Sequence, residues 1–148
     1  MRTGEYLQVY DSARTLLERL DTEPTRTEAA YLAALALARS GATDVAEAFA
    51  DAFLDEAGAD LPAVLARDVS ALRARIAKDR ALAAPDTQAR AQFAEAARRY
   101  EATFDRYGGS YPAVNAATTW LLAGDIARSR RLAAAAREAL GSDADEST

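Results

Sequence analysis

One short pattern occurs twice in the chain and restricts the folds open to it. Small residues recur at fixed offsets ahead of a glycine, with one large residue between them. Aligning Gly41 with Gly124 places Ala30 on Ala113, Ala33 on Ala116, Ala34 on Ala117 and Leu37 on Trp120. Small residues let a partner helix approach closely, the large residue fills the groove, and the glycine permits a tight turn. The pattern predicts helical hairpins that pack as repeats.

The remainder of the chain has the apolar spacing of amphipathic helices. Half of the residues are hydrophobic, yet only 7% are aromatic, and alanine is prominent among them, which favours closely packed helices over sheets. Glycine and proline mark the breaks. We therefore predict an all-α fold with about seven helices, at residues 5–20, 25–40, 43–57, 62–82, 86–107, 113–123 and 126–140.

The repeated hairpin resembles the tetratricopeptide repeat. That resemblance implies a short right-handed superhelix, an α-solenoid, whose concave face is lined mainly by the first helix of each pair. At 148 residues the chain has the length of one domain. We expect a single helical-repeat domain over residues 1–141. Residues 142–148 are acidic and almost free of apolar side chains, so we expect a disordered tail or linker there.

Composition excludes several kinds of function. The chain has no cysteine and no histidine, which removes thiolate nucleophiles, imidazole bases and the commonest zinc ligands. A net charge of −5 and a pI near 4.8 argue against nucleic acid and anionic membranes as partners. No apolar run approaches the roughly 20 residues that span a bilayer. These features predict a cytoplasmic protein that is not an enzyme and carries no cofactor or metal.

The best candidate for a binding site surrounds the only lysine, which stands among 17 arginines. Arg75, Lys78 and Asp79 lie at i, i+3 and i+4, on one face of the fourth predicted helix. The two cations could hold a phosphate or carboxylate, with Asp79 orienting a cation or accepting from a sugar hydroxyl or base amine. Asn115 and Thr118, near the start of the sixth helix, are predicted to face this cluster.

A purely structural interpretation of the same residues stays open at this point. Arg75 and Asp79 can form an ordinary i, i+4 ion pair, Lys78 can be solvated, and Asn115 can tie the sixth helix to the fourth. Thr118 and its neighbour Thr119 can likewise form hydrogen bonds between helices. The aromatic residues Tyr100, Phe104, Tyr107, Tyr111 and Trp120 have the helical spacing of core residues.

Three motifs support a more specific resemblance. They are Arg-x-x-Lys-Asp at residues 75–79, Tyr-x-x-x-Phe at 100–104, and Tyr-Pro-Ala-Val-Asn-Ala-Ala-Thr at 111–118. Together they resemble the TRAF-binding helical domain of apoptosis signal-regulating kinases and its bacterial relatives, also described as a tetratricopeptide-repeat sensor domain. The resemblance covers roughly residues 29–140. It implies a small ligand, with nucleotide-derived compounds as one proposed class, and places Tyr111 in the site.

Together these features predict a non-catalytic sensor or scaffold module of a signalling or defence protein. Its concave face would bind a small ligand or a partner segment, and its partner would be another protein or a fused effector domain. The alternative is a protein–protein interaction or homodimerisation module with no small-molecule ligand, which leaves a homo-oligomer open.

Overall fold

The computed structural model describes residues 3–17, 19, 23–54 and 61–146. These residues form seven α-helices and, within the described part, no strand. The helices are α1 (Thr3–Leu17), α2 (Glu23–Arg39), α3 (Thr43–Leu54), α4 (Ala63–Ala83), α5 (Asp86–Tyr107), α6 (Ser110–Leu122) and α7 (Ile126–Glu146). The predicted all-α class with about seven helices is confirmed.

The chain divides into two compact units, Met1–Leu72 and Arg73–Thr148, with the boundary inside α4. In the first unit α2 packs against both α1 and α3. Tyr10 of α1 and Phe49 of α3 meet edge to face, with ring centroids 5.7 Å apart, a favourable aromatic geometry. The predicted single domain over 1–141 and the right-handed path of the helices stay predictions.

The second unit packs α6 against both α5 and α7. Its core is built from small residues and three large ones: Ala74, Ala97, Tyr100, Ala116, Ala117, Trp120 and Leu132. Alanines on α4, α5 and α6 bring these backbones close, and Tyr100 and Trp120 fill the space between them. This is the packing that the repeated pattern predicts.

The two aligned glycines end their helices in the same way. Gly41 has a φ of +86° and Gly124 a φ of +85°, a conformation that favours glycine because it has no Cβ. After α2, the Ala42 amide donates to the Leu37 carbonyl at 3.1 Å and the Gly41 amide to that of Ala38 at 3.2 Å.

The turn after α6 repeats this pair of bonds. The Asp125 amide donates to the carbonyl of Trp120 and the Gly124 amide to that of Leu121, both at 2.9 Å. Both turns are Schellman motifs, in which the residue after the glycine bonds back to the large residue of the repeat. The alignment of Gly41 with Gly124 is thus confirmed at the level of individual hydrogen bonds.

Several predicted helix ends are wrong. Helix α1 begins at Thr3 and α6 at Ser110, ahead of the predicted 5 and 113. Residues 142–146 continue α7 as helix, so the predicted end at Gly141 is wrong and these residues are not disordered. The linker expected at 142–148 stays a prediction, and residues 147–148 lie outside the described residues. Gly141 has no positive φ, and a glycine inside a helix costs only about 1 kcal/mol. Helix α2 begins at Glu23, ahead of Thr25, because Pro24 falls in the first turn, where its missing N–H is harmless.

Candidate functional site

The C-terminal half of α4 presents the predicted charged face. Arg75 Nε lies 3.5 Å from Asp79 Oδ2, an i, i+4 ion pair in which each side chain is about one-quarter to one-third exposed. Lys78 Nζ donates a hydrogen bond to Asn115 Oδ1 of α6 at 3.0 Å. Asn115 in turn donates from Nδ2 to the carbonyl of Tyr111 at 3.0 Å. The structure therefore brings together Lys78 and Asn115, residues 37 apart in sequence.

The structural interpretation of this cluster is partly right, and the ligand-site interpretation stays a prediction. The Arg75–Asp79 pair and the tie from Asn115 to α4 belong to the structural interpretation. The expectation that Lys78 is solvated is wrong, because its side chain is half-buried and its ammonium bonds to an amide. None of these contacts tests whether a ligand binds there.

The ammonium of Lys78 lies in an unfavourable environment for a charge. Burial lowers the pKa of Lys78 below its ordinary value of 10.5; Arg75 lowers that pKa further, while Asp79 raises it. Its hydrogen-bond acceptor is a neutral amide oxygen, which compensates a charge less than a carboxylate does. Lys78 Nζ also lies 5.6 Å from the centroid of the Tyr100 ring, within the range of a cation–π contact.

Two hydrogen-bond donors beside this lysine are buried without an acceptor. Within the described residues, Arg75 Nε forms no hydrogen bond, since 3.5 Å from Arg75 to Asp79 is too long for a good N–H···O bond. The Tyr100 hydroxyl also lacks a partner in hydrogen-bond geometry, although the side chain of Tyr111 lies close enough to contribute to its raised pKa. Burial raises the pKa of the Tyr100 phenol above its ordinary value of 10, so this hydroxyl keeps its proton. Arg75 Nε and the Tyr100 hydroxyl therefore remain as unused donors beside Lys78.

The aromatic residues divide between core and site. Tyr100 and Trp120 are buried, which confirms them as core residues. Tyr111 is 54% exposed, so the core interpretation is wrong for it. Its ring meets that of Tyr100 edge to face, with centroids 6.5 Å apart, and it forms an exposed aromatic surface next to Asn115.

Thr118 contributes less than the sequence predicts. Its side chain is exposed, and its hydroxyl donates to the carbonyl of Val114 in the same helix at 2.9 Å. Thr119 is fully buried, and its hydroxyl oxygen has no partner among the described residues. Among the described contacts, Asn115 forms the predicted hydrogen bond between helices. Neither threonine does so.

Comparison with known families adds one finding. The sequence profile of the Tetratricopeptide Repeats-Sensor family matches residues 9–122, which is more than three quarters of the chain. The chain belongs to the Tetratricopeptide Repeats-Sensor family. No curated protein and no solved structure matches the chain.

Family membership confirms the helical-repeat class and identifies the chain as a repeat-sensor module. The family match runs from α1 to the end of α6 and includes both Lys78 and Asn115. Among the described residues of this Tetratricopeptide Repeats-Sensor domain, no helix is long and apolar enough to cross a membrane. No group of three or more metal-ligating side chains occurs in that same part of the chain.

Sequence reasoning missed two features of this Tetratricopeptide Repeats-Sensor domain. Tyr100 was predicted as core, but its hydroxyl also belongs to the donor cluster. Glu101 accepts hydrogen bonds from Trp120 Nε1 at 2.8 Å and from Arg131, joining α5 to α6 and α7. No local signal identifies Glu101, because its partners lie 19 and 30 residues away and only tertiary packing brings them together.

Proposed function

We propose that this chain is a non-catalytic, cytoplasmic sensor module of a signalling or defence protein, and that a small anionic ligand binds at the Lys78–Asn115 cluster. A nucleotide-derived compound is the ligand class we favour. The observation that carries the proposal is the half-buried side chain of Lys78, whose ammonium donates to a neutral amide. It lies beside two buried donors, Arg75 Nε and the Tyr100 hydroxyl, that form no hydrogen bond within the described residues.

This arrangement is costly unless it serves a ligand. A buried donor without a partner costs about 1–3 kcal/mol. The partial burial of the Lys78 ammonium adds a desolvation cost, which the nearby Asp79 carboxylate offsets only in part. A phosphate supplies several charged acceptor oxygens at once, so it would satisfy Lys78 Nζ and Arg75 Nε together. The family's description as a sensor is consistent with a site of this kind.

The surrounding residues fit the other parts of a nucleotide. Asp79 would accept from a sugar hydroxyl or a base amine, and the exposed Tyr111 ring offers a face on which a base can stack. Thr118 is exposed one turn further along α6 and offers a hydroxyl. A phosphate that takes the bond from Lys78 displaces Asn115, which links α4 to α6. Binding would thereby alter the packing of these helices and signal to a fused effector domain or a protein partner.

The proposal is tested by calorimetry and thermal melting with ATP, ADP-ribose and inorganic phosphate as probes. We expect at least one nucleotide to raise the melting temperature. Lys78→Met should weaken its binding at least tenfold, because a charge-assisted hydrogen bond contributes about 1.5–3 kcal/mol. Asn115→Asp should also weaken binding, since the new carboxylate neutralises Lys78 and repels an anion.

Arg106→Met provides a matched control. Arg106 is an exposed cation of the same unit that stacks on Tyr107, 5.1 Å from its ring centroid, so its loss should leave binding unchanged. The proposal is wrong if no probe shifts the melt, or if Lys78→Met retains the affinity of the original chain.

A protein-interaction role without a small ligand is the second candidate, and one observation favours it. Tyr111, Val114 and Leu121 are all exposed and lie at i, i+3 and i+10, with the exposed Thr118 between them, so they form one apolar stripe along α6. Such a stripe suits a partner helix. Pull-down of a protein partner that is lost with Val114→Asp and retained with Lys78→Met would favour this candidate.

A further inference from the structure

A groove in the first unit has a chemistry opposite to that of the lysine cluster. It lies between α2 and the start of α4 and encloses about 300 Å³. Its apolar wall includes Leu32, Val64 and Leu65, of which Leu32 is 46% and Val64 63% exposed. Large apolar side chains exposed around a cavity are typical of a binding surface.

The charged side chains that line this groove are both carboxylates, Glu28 of α2 and Asp68 of α4. Asp68 lies 3.5 Å from Arg67, but both side chains are more than one-third exposed, and such a pair contributes little. The groove therefore suits an occupant that combines apolar side chains with positive charge.

The chain itself contains such an occupant. The first unit has six basic and thirteen acidic residues, a net charge of −7, whereas the second has twelve basic and ten acidic residues, a net charge of +2. This asymmetry favours attraction between the first unit of one molecule and the second unit of another.

Helix α7 carries the matching surface. Five residues at spacings of 4, 3, 4 and 3 form one stripe of the helix, and all five are exposed: Ile126, Arg130, Ala133, Arg137 and Leu140. The two large apolar members are each more than half exposed. The other arginines of this segment are engaged within the unit, Arg128 with Asp125 and Trp120 and Arg131 with Glu101.

We propose that the acidic groove of one molecule binds the basic, apolar stripe of α7 on a second copy of the same chain. The contact joins two different surfaces, so it is heterologous and leaves a free groove at one end and a free α7 at the other. Repetition produces an open chain or a closed ring of molecules. The inference does not depend on a ligand at Lys78.

Sedimentation velocity over a range of protein concentrations tests this contact. We expect the weight-average mass to rise with concentration at low salt and to fall at least part of the way to the monomer at about 0.5 M NaCl, because the charges are exposed and screened. Glu28→Lys with Asp68→Lys should weaken association at least tenfold, as should Arg130→Glu with Arg137→Glu. Arg39→Glu, an exposed charge reversal on α2, is the matched control.

Mixing the two double variants gives the sharpest test. Each alone places like charges against one another and should remain a monomer, whereas the mixture restores opposite charges at every contact and should associate again. Circular dichroism checks that each variant is folded. The inference is overturned if the original chain is a monomer at all concentrations and low salt, if association survives both double reversals, or if the mixture of folded variants stays monomeric.

Discussion

Glu101 forms both a hydrogen bond to a buried side chain and an ion pair with an exposed one, so variants of this residue compare what each contributes to stability. One carboxylate oxygen accepts from the indole of Trp120 at 2.8 Å, and the other accepts from Arg131. The Arg131 side chain is 66% exposed and that of Glu101 17%, whereas Trp120 is almost completely buried. We predict that the bond to Trp120 matters more to stability than the ion pair with Arg131.

The magnitudes follow from burial. Arg131→Ala removes an ion pair with one exposed partner, which contributes about 0.2–1 kcal/mol. Glu101→Met removes that pair and also leaves the buried Trp120 N–H without an acceptor, which adds about 1–3 kcal/mol. Glu101→Gln retains an acceptor for the indole but loses the charge, so its effect should fall between the other two.

Urea unfolding measures these differences directly. Trp120 is the only tryptophan in the chain, so its fluorescence reports on the unit that contains Glu101, while circular dichroism reports on all helices. We expect the free energy of unfolding to fall in the order original chain, Arg131→Ala, Glu101→Gln, Glu101→Met. Our reasoning is refuted if Arg131→Ala destabilises the protein as much as Glu101→Met does.

Three further predictions concern the turns and the lysine cluster. Gly41→Ala and Gly124→Ala should each lower the free energy of unfolding by about 1–2 kcal/mol, the cost of a positive φ in a residue with a Cβ. Steric clash should add little, since a Cβ at Gly41 meets nothing within 4 Å and one at Gly124 only touches a side chain at 3.6 Å. A difference above about 1 kcal/mol between the two variants in urea unfolding would contradict a purely backbone origin. Because the pKa of Lys78 is lowered on folding, the folded state binds fewer protons than the unfolded state just below pH 10.5, so the free energy of unfolding should rise with pH in that window. Lys78→Met should reduce this slope in melts between about pH 8 and 10. An unchanged slope would assign the pH dependence to other groups. Tyr100 has a raised pKa, so just above pH 10 only the unfolded state releases this proton, and the free energy of unfolding falls there. Tyr100→Phe should remove that loss in the same melts. Because the substitution deletes a buried hydroxyl without a hydrogen-bond partner, stability at neutral pH should be equal or higher.

The sequence predicts a helix end best where the glycine of the turn and the large residue that the turn bonds back to both belong to the repeated pattern. Gly41 and Gly124 end their helices because the residue after each bonds back to Leu37 or Trp120, and the repeat alignment contains all of these positions. Residue 141 is also a glycine, but the surrounding residues do not follow the repeated pattern. A single glycine can therefore be accommodated in a helix, and α7 continues through it.

The candidate site is only partly predictable, because its burial depends on tertiary packing. The spacing of Arg75, Lys78 and Asp79 establishes a shared helix face, and the resemblance pointed to Asn115. The burial that lowers the pKa of Lys78, and the buried hydroxyl of Tyr100, depend on how α4, α5 and α6 pack together. Spacing along one helix contains no information about that packing.

The matched turns have a consequence for how such a domain can diversify. Leu32 of the acidic groove and Asn115 of the lysine cluster occupy the same place in the two hairpins, since 83 residues separate them, as they separate Gly41 and Gly124. The alanines and glycines that fold each hairpin lie elsewhere on the helix. The residue at this place can therefore change while the glycine turn is kept, so one hairpin template presents an apolar side chain in one copy and, in the other, an amide that bonds to a neighbouring helix.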